Sequence, residues 1–164
     1  MPDSPADIYV RDARNDDAER VAVICEAAFA PLRSIYRPKE EAIARQAERA
    51  QTGTRLVAEI AGTLVGTVQY DLHTRHLHVI GLAVHPDYQR RGVARCLLDE
   101  IDQRAVLPGQ PVVVLDTIKE TGNVPLFEKL GFEVTREEVA TWCQSETFSQ
   151  VHDVKMERIV IPNK

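Results

Sequence analysis

The fold of this chain is decided by residues 80–94, which read IGLAVHPDYQRRGVA. An apolar run is broken by His85-Pro86-Asp87, and a helical pattern begins near Gly92, so a strand, a turn and a helix are expected in succession. Gly92 and the small Ala94 let backbone N–H groups approach a ligand, and the helix N-terminus adds unpaired donors and a partial positive charge. With Arg90 and Arg91 beside them, the stretch predicts a cradle for a pyrophosphate.

Two common phosphate-binding loops fit this stretch less well. A nucleotide P-loop needs Gly-Lys-Ser or Gly-Lys-Thr, and neither occurs in the chain. A dinucleotide site needs GxGxxG followed about 20 residues later by an acidic residue, and that pattern is also absent. The ligand is therefore expected to belong to another pyrophosphate-containing class.

Length and composition indicate one compact globular domain. The 164 residues are 44% hydrophobic and 27% charged, as in ordinary globular proteins. The apolar runs are far shorter than the roughly 20 residues that cross a bilayer, and the N-terminus does not resemble a secretory signal. A cytoplasmic protein without a membrane partner is expected, and the net charge of −5 argues against nucleic acid as a partner.

The cysteines and histidines point to no metal centre. Cys25, Cys96 and Cys143 are far apart and odd in number, so we expect neither a disulfide framework nor a cysteine-based metal site. No two histidines have the i, i+4 spacing of a helical metal site. The sequence therefore predicts no bound metal.

Periodicity upstream of the deciding stretch predicts two helices and two hairpin strands. Asn15-Asp16-Asp17 offers a cap for a first helix that ends at Pro31. A second helix is expected to begin near Pro38 and to end before Gly53. Its apolar residues are expected to be buried: Ala42, Ile43, Ala47 and Ala50. Ala61-Gly62 is a two-residue hairpin signal.

The remaining segments complete the order β-α-α-β-β-β-α-β-α-β-β, which predicts an α/β (α+β) fold with a mixed sheet and helices on both faces. Further helices are expected over residues 92–105 and 123–130. The predicted strands are Ile8–Arg11, Thr54–Ile60, Thr63–Tyr70, His76–Val84, Val112–Leu115, Phe132–Thr141 and Ser149–Ile159.

The sequence resembles the GNAT superfamily of acyl-CoA-dependent N-acetyltransferases. The family motif Gln/Arg-x-x-Gly-x-Gly/Ala is matched by Gln89, Gly92 and Ala94, and a second motif, an Asn ahead of Glu-Lys-Leu-Gly-Phe, is matched by 123–132. The resemblance implies one N-acetyltransferase domain over residues 1–164, with an ordered core of about residues 7–160. It also implies a mostly antiparallel sheet of six to seven strands, about four helices and acetyl-CoA as co-substrate.

The resemblance also implies roles for individual residues. Leu82, Ala83 and Val84 would pair main-chain groups with the pantetheine arm of the cofactor, although core packing explains Leu82 and Val84 equally well. Asn123 would touch the cofactor near the thioester or pantetheine. The pyrophosphate would be held by Gln89, Arg90, Arg91, Gly92, Val93 and Ala94.

One family residue is replaced here. Many members carry a Tyr before Glu-Lys-Leu-Gly-Phe that protonates the departing thiolate, and this chain has Phe127, which cannot donate a proton. Three explanations are open. The thiolate leaves unaided, because a thiol pKa near 8.5 makes it a fair leaving group; another donor replaces the Tyr, with Tyr70, Tyr88 and Ser149 as candidates; or the protein binds acyl-CoA as a sensing module without efficient turnover.

The second departure is at the general base. Relatives often carry a Glu four residues before Leu82, and this chain has His78 there. An imidazole with a pKa near 6.5 suits a base at neutral pH, so His78 is the candidate base or water-holder. His76 shares its face of the strand, while Glu59 and Asp116 are further candidates without a motif.

The acceptor is expected to be a primary amine of a small molecule or a peptide. In this family the first two helices and the last hairpin set acceptor specificity, which here means residues 29–39 and 141–149, with Trp142 as a candidate pocket wall. Homodimers are common among relatives, and the late strands offer edges for one.

Overall fold

The computed structural model describes residues 7–109 and 111–161. The predicted loose ends, 1–6 and 162–164, lie outside the described residues. The strands are β1 (Ile8–Asp12), β2 (Arg37–Pro38), β3 (Thr54–Ile60), β4 (Thr63–Leu72), β5 (Leu77–Val84), β6 (Val112–Ile118), β7 (Glu133–Val139), β8 (Cys143–Gln144) and β9 (His152–Ile159). The α-helices are α1 (Ala18–Phe29), α2 (Glu40–Thr52), α3 (Val93–Val106) and α4 (Val124–Lys129).

Seven of the strands form one sheet in the order β1-β3-β4-β5-β6-β9-β7. Every neighbouring pair is antiparallel except β5 and β6, which run parallel. That exception follows from the connection through α3, because parallel strands require a crossover. The mixed, mostly antiparallel sheet with four helices is the predicted fold.

The two faces of the sheet carry separate apolar layers. Leu56 and Ala58 pack with α3 on one face, and Val57 between them packs with Val21 and Ile24 of α1 on the other. This alternation is the side-chain period of a strand buried on both faces. The predicted order of elements and the hairpin at Ala61-Gly62, where both residues have positive φ, are confirmed.

The second helix departs from the prediction. Pro38 lies in β2, paired with Cys143, and the Lys39 N–H donates to the Trp142 carbonyl, so the chain stays extended until Glu40. Ala42 is buried, but Ile43 is 54% exposed, and Ala47 and Ala50 are exposed too. The prediction that all four apolar residues are buried was wrong, because only one side of one turn of α2 reaches the core.

Smaller differences lie at strand ends. The predicted strand Val112–Leu115 continues to Ile118 and so includes Asp116, because it pairs with β9 over its whole length. The last strand begins at His152 rather than Ser149, and the two-residue strands β2 and β8 were not predicted. None of the helices within the described residues is both long and apolar enough to cross a bilayer.

Candidate functional site

The parallel strands β5 and β6 diverge in the middle of the sheet. They are in register only at Leu77 with Val113 and at His78 with Val114, although β5 continues to Val84 and β6 to Ile118. Beyond His78 the facing main-chain groups of the two strands do not pair with each other, and unpaired strand edges accept a further extended chain. The edges of this wedge could therefore pair with an extended, amide-containing ligand.

The segment predicted to bind pantetheine borders this wedge. Gly81 interrupts β5 with a φ of 62°, a left-handed conformation that glycine adopts without strain. After it, the side chains of Leu82 and Val84 pack on the core facing α3, whereas Ala83 is buried on the α1 side. The side chains of all three residues are thus used for packing, so a ligand could pair only with main-chain groups that β4 and Gln89 do not already engage.

The predicted pyrophosphate cradle lies at the start of α3. Arg90 and Gly92 have positive φ values of 65° and 87°, which turn the backbone sharply before the helix. Val93 is 2% exposed and packs against Gly66 of β4, where an added Cβ would come within 2.7 Å of Val93. This close contact fixes the N-terminus of α3 against the sheet.

The first N–H groups of α3 have no helical partner in the cradle. The first intrahelical bond runs from the Cys96 N–H to the Gly92 carbonyl, so the preceding N–H groups have no helical partner. No side chain among the described residues caps this helix end. Gln89 steadies the turn, since its Nε2 donates to the Val84 carbonyl at 3.1 Å, and the Arg91 guanidinium lies 5.0 Å from the ring centre of Tyr88.

His78 is held by two groups of opposite charge. Its Nε2 lies 2.8 Å from Asp116 Oδ2, and its Nδ1 lies 3.0 Å from an Arg49 nitrogen. A guanidinium has donors only, so Nδ1 accepts a hydrogen bond from Arg49. Nε2 therefore carries the proton and donates a hydrogen bond to Asp116. The structure thus gives His78 one neutral tautomer with its lone pair on Nδ1. His78 is the last residue of β5 that pairs with β6.

An acidic residue on the same face of the sheet was missed by the sequence analysis. Asp153 of β9 is opposite Ile118 of β6, and cross-strand pairs share a face, so Asp153 and Asp116 lie on the same side as His78. Asp153 Oδ2 accepts a hydrogen bond from Trp142 Nε1 at 3.3 Å. Burial and the nearby charge of Asp116 raise the pKa of Asp153.

Asp153 has an unused acceptor. Its Oδ1 is buried without a hydrogen-bond partner among the described residues, which is costly unless a ligand or water supplies a donor. The sequence signal for Asp153 was weak, because alternation along a strand places it on a face without showing that the face is a site.

The two segments predicted to set acceptor specificity are brought together by β2 and β8. Arg37 pairs with Gln144 and Pro38 with Cys143, and the rings of Tyr36 and Trp142 pack edge to face at 6.2 Å. A cleft of about 590 Å³ lies beside them, between the first turn of α2 and Trp142. Arg33 and Arg37 form ion pairs with Glu26 and Glu146.

Several residues that the sequence suggested as proton donors or bases lie apart from His78, Asp116 and Asp153. Glu59 is ion-paired with Arg11 at 3.4 Å. Tyr70 is buried on the α3 face, where its hydroxyl accepts from Arg104, and is therefore on the opposite face from His78. Phe127 packs edge to face on Phe132 at 6.1 Å.

Asn123 is the N-cap residue of α4, the helix that bears Phe127. The Asn123 carbonyl accepts a hydrogen bond from the Phe127 N–H, and the side chain does not cap the helix.

Comparison with known proteins agrees with the fold and identifies a family. The model of the acetyltransferase (GNAT) family matches residues 12–132. The structure is similar to the ribosomal-protein-S18-alanine N-acetyltransferase of Escherichia coli, with 18% identity, a TM-score of 0.73 and coverage of 96% of this chain and 97% of that one. A GCN5-related N-acetyltransferase from Kribbella flavida gives 20% identity, a TM-score of 0.72 and coverage of 96% and 100%.

A third similar structure contains the co-substrate. It is a candidate acetyltransferase from Salmonella typhimurium with its cofactor acetyl-CoA, with 19% identity, a TM-score of 0.66 and coverage of 96% of both chains. At these identities the structural matches show a shared fold, and the family model shows the family.

Proposed function

We propose that this chain, which belongs to the GNAT acetyltransferase family and is an acetyl-CoA-dependent acyltransferase, acetylates a primary amine of a small molecule or peptide. The amine would attack directly, in a ternary complex of enzyme, acetyl-CoA and acceptor. The observation that carries the proposal is His78, held between Asp116 and Arg49 where β5 and β6 diverge.

The residues present fit acetyl-CoA. The uncapped N-terminus of α3 and the cations of Arg90 and Arg91 suit a pyrophosphate, and a Cβ on Gly92 would meet no atom within 4 Å, so the backbone there is open to a ligand. The residues proposed to hold the pyrophosphate are Gln89, Arg90, Arg91, Gly92, Val93 and Ala94. Leu82, Ala83 and Val84 would offer main-chain groups to the pantetheine arm, and Asn123 would contact it nearby.

Bound acetyl-CoA would supply the thioester carbonyl carbon that the amine attacks, and the C–S bond would break as CoA leaves as its thiolate. The protein must remove a proton from the amine, and a positioned base contributes to that step. His78 would take the proton at Nδ1, directly or through a water, while Asp116 keeps the proton on Nε2 and holds the ring. Arg49 must leave Nδ1 for this to happen, because a protonated imidazole cannot accept its hydrogen bond.

The carboxylates near His78 favour a positively charged amine as the acetyl acceptor. Asp116 and Asp153 lie on one face of the sheet, and Asp153 Oδ1 has no partner among the described residues. An ammonium group supplies the missing donors and a compensating charge, and the ring of Trp142 beside Asp153 offers an aromatic wall.

A thiol-release assay with purified protein, acetyl-CoA and a panel of diamines, amino acids and peptides tests the proposal. We expect CoA release with at least one amine and none with the N-acetylated form of that amine, which is the matched control. Acetyl-CoA binding without CoA release on any acceptor in the panel would contradict the proposed transfer and favour a sensing module.

We further propose a homodimer, a single domain and a cytoplasmic location. β7 is an edge strand with all seven residues exposed, which supports pairing between copies. The three cysteines are free thiols, as expected in a reducing compartment. Light scattering of the wild type and of Val134→Lys on β7 tests the dimer, because a lysine on that edge should give monomers.

A further inference from the structure

Three histidines meet at the hairpin between β4 and β5. They are spaced His-x-x-His-x-His over residues 73–78, and the His73 N–H donates to the His76 carbonyl at 2.9 Å, which closes the turn. Since His76 and His78 share a face of β5, the turn brings His73 back over the same face.

The three rings form a compact cluster. His73 and His76 stack with ring centres 4.7 Å apart and planes 12° apart, and His78 lies 6.0 Å from His73 and 6.2 Å from His76. One nitrogen from each ring can be chosen so that all three lie within 4.8 Å of one another. Ligands bound at about 2.0 Å to a common Zn²⁺ lie roughly 3.3 Å apart, so the side chains must rotate to bring these nitrogens to that spacing. The stacked rings of His73 and His76 must tilt until both ring planes meet at the ion.

We propose that His73, His76 and His78 bind a divalent transition-metal ion of the Zn²⁺, Ni²⁺ and Cu²⁺ class, and that the bound ion inhibits acetyl transfer. Imidazole nitrogen suits these ions, whereas Mg²⁺ and Ca²⁺ require oxygen ligands. The proposed site departs from the prediction of no bound metal. That prediction considered only the i, i+4 spacing of histidines on a helix, and these three histidines are brought together by a hairpin.

The surroundings of His78 support metal binding through Nδ1. Asp116 accepts a hydrogen bond from the Nε2–H group, and a carboxylate in that position orients a histidine ligand and increases its basicity. Arg49 lies on Nδ1 and must be displaced by the metal. Arg49 is thus the built-in competitor of the ion.

The charges around the cluster are mixed. Lys155 and Glu157 of β9 both act on His76, with opposite signs. The hairpin itself adds Arg75. Coordination through uncharged imidazoles, rather than attraction by an acidic patch, therefore carries the binding.

Inhibition rests on the proposed function, because the metal would occupy the lone pair with which His78 takes the amine proton. Binding does not rest on it. The two halves of the proposal are therefore measured separately.

The binding half is tested by titrating the full-length protein with Zn²⁺ against a chromophoric chelator in a non-coordinating buffer. We expect one ion per chain, and about a tenfold or greater loss of affinity in His73→Ala and in His76→Ala. His85→Ala is the matched control, since it removes a histidine outside the cluster and keeps all three cysteines. Mg²⁺ should not compete.

Arg49→Gln sharpens the test. Removal of the competing guanidinium should increase Zn²⁺ affinity, and an unchanged affinity would overturn binding through Nδ1. Equal affinity in the wild type and a His73→Ala/His76→Ala double variant would overturn the site, because the ion would then be held elsewhere. Circular dichroism of each variant shows that it is folded.

The inhibition half uses CoA release on an active acceptor. Micromolar Zn²⁺ should slow the wild type, a chelator should restore the rate, and His73→Ala should keep its rate at the same Zn²⁺ concentration. Binding at the cluster without inhibition would overturn the inhibitory role and would also argue against His78 as the base. Loss of CoA release with every amine, with Zn²⁺ binding retained, would overturn the proposed function alone.

Discussion

Two carboxylates in this protein, Asp17 and Asp153, are in opposite electrostatic situations. Asp17 accepts from the Arg11 guanidinium at 2.8 and 3.1 Å and from the Arg14 N–H at 2.6 Å. These bonds, the one from Arg11 first, lower its pKa to about 2. Asp153 has a hydrogen bond from Trp142 and one buried oxygen without a partner in the described part of the chain, and burial raises its pKa.

The difference separates a structural carboxylate from a candidate functional one. The structural ion cluster is Arg11, Asp17 and Glu59. In it Arg11 forms ion pairs with both carboxylates, which join β1 to β3 and to the start of α1. The site cluster is His78, Asp116 and Asp153. Among the described residues, one oxygen of Asp153 has no donor and the Nδ1 lone pair of His78 is covered only by Arg49. Unsatisfied and perturbed groups in a cleft are typical of sites that complete themselves with a ligand.

The largest predicted effect is the loss of activity in His78→Ala. If His78 takes the amine proton, kcat/KM should fall by about 100-fold or more, the usual contribution of a general base. Stability should hardly change, because His78 belongs to the site cluster. Steady-state CoA release and a thermal melt measure the two quantities, with His85→Ala as the control. Activity within a factor of about two of wild type would remove His78 from the mechanism.

The structural ion cluster should show the reverse behaviour. Asp17→Asn should lower the free energy of unfolding by about 2 kcal/mol near neutral pH, since it weakens charged hydrogen bonds, and leave kcat unchanged. The folded-state pKa of Asp17 is lowered from 3.8 to about 2, so its stabilisation is present above pH 3.8 and is lost as the pH falls towards 2.

Urea unfolding of the wild type and of Asp17→Asn across that acid range measures this loss. The gap between the two stabilities should narrow as the pH falls. A constant gap would mean that the charge of Asp17 is not what stabilises the fold.

A smaller effect is expected at Asp153. Asp153→Asn keeps the shape of the side chain but removes the charge, so KM for a cationic amine should rise about tenfold, or 1.4 kcal/mol, with little change in KM for acetyl-CoA. Stability should stay within about 0.5 kcal/mol of wild type, because a neutral amide avoids the cost of burying a charge. Equal increases in both KM values would point to a general distortion of the site.

The cradle and the site cluster show what the sequence could and could not predict. The strand end, the turn and the helix start around residues 89–94 are local features, so the sequence predicted them, whereas the pyrophosphate-binding role of this cradle stays a prediction. Asp153 becomes notable only when β9 pairs with β6 and Trp142 reaches across from another loop. Pro38 was misassigned for the same reason, because its pairing partner Cys143 is more than 100 residues away.

The smallest effect is expected at Phe127, where many relatives carry a Tyr and where the sequence left three explanations open. Phe127 is half-buried and packs against Phe132, so Phe127→Tyr adds one hydroxyl to a packed helix without disturbing the site cluster. A thiolate with a pKa near 8.5 leaves without much help, and kcat should therefore change by less than about threefold, or 0.65 kcal/mol. Pre-steady-state CoA release compared between the two proteins measures the chemical step itself. A large acceleration would show that protonation of the thiolate limits the wild type, and the rate would then be set on the α4 side of the cofactor instead of at His78.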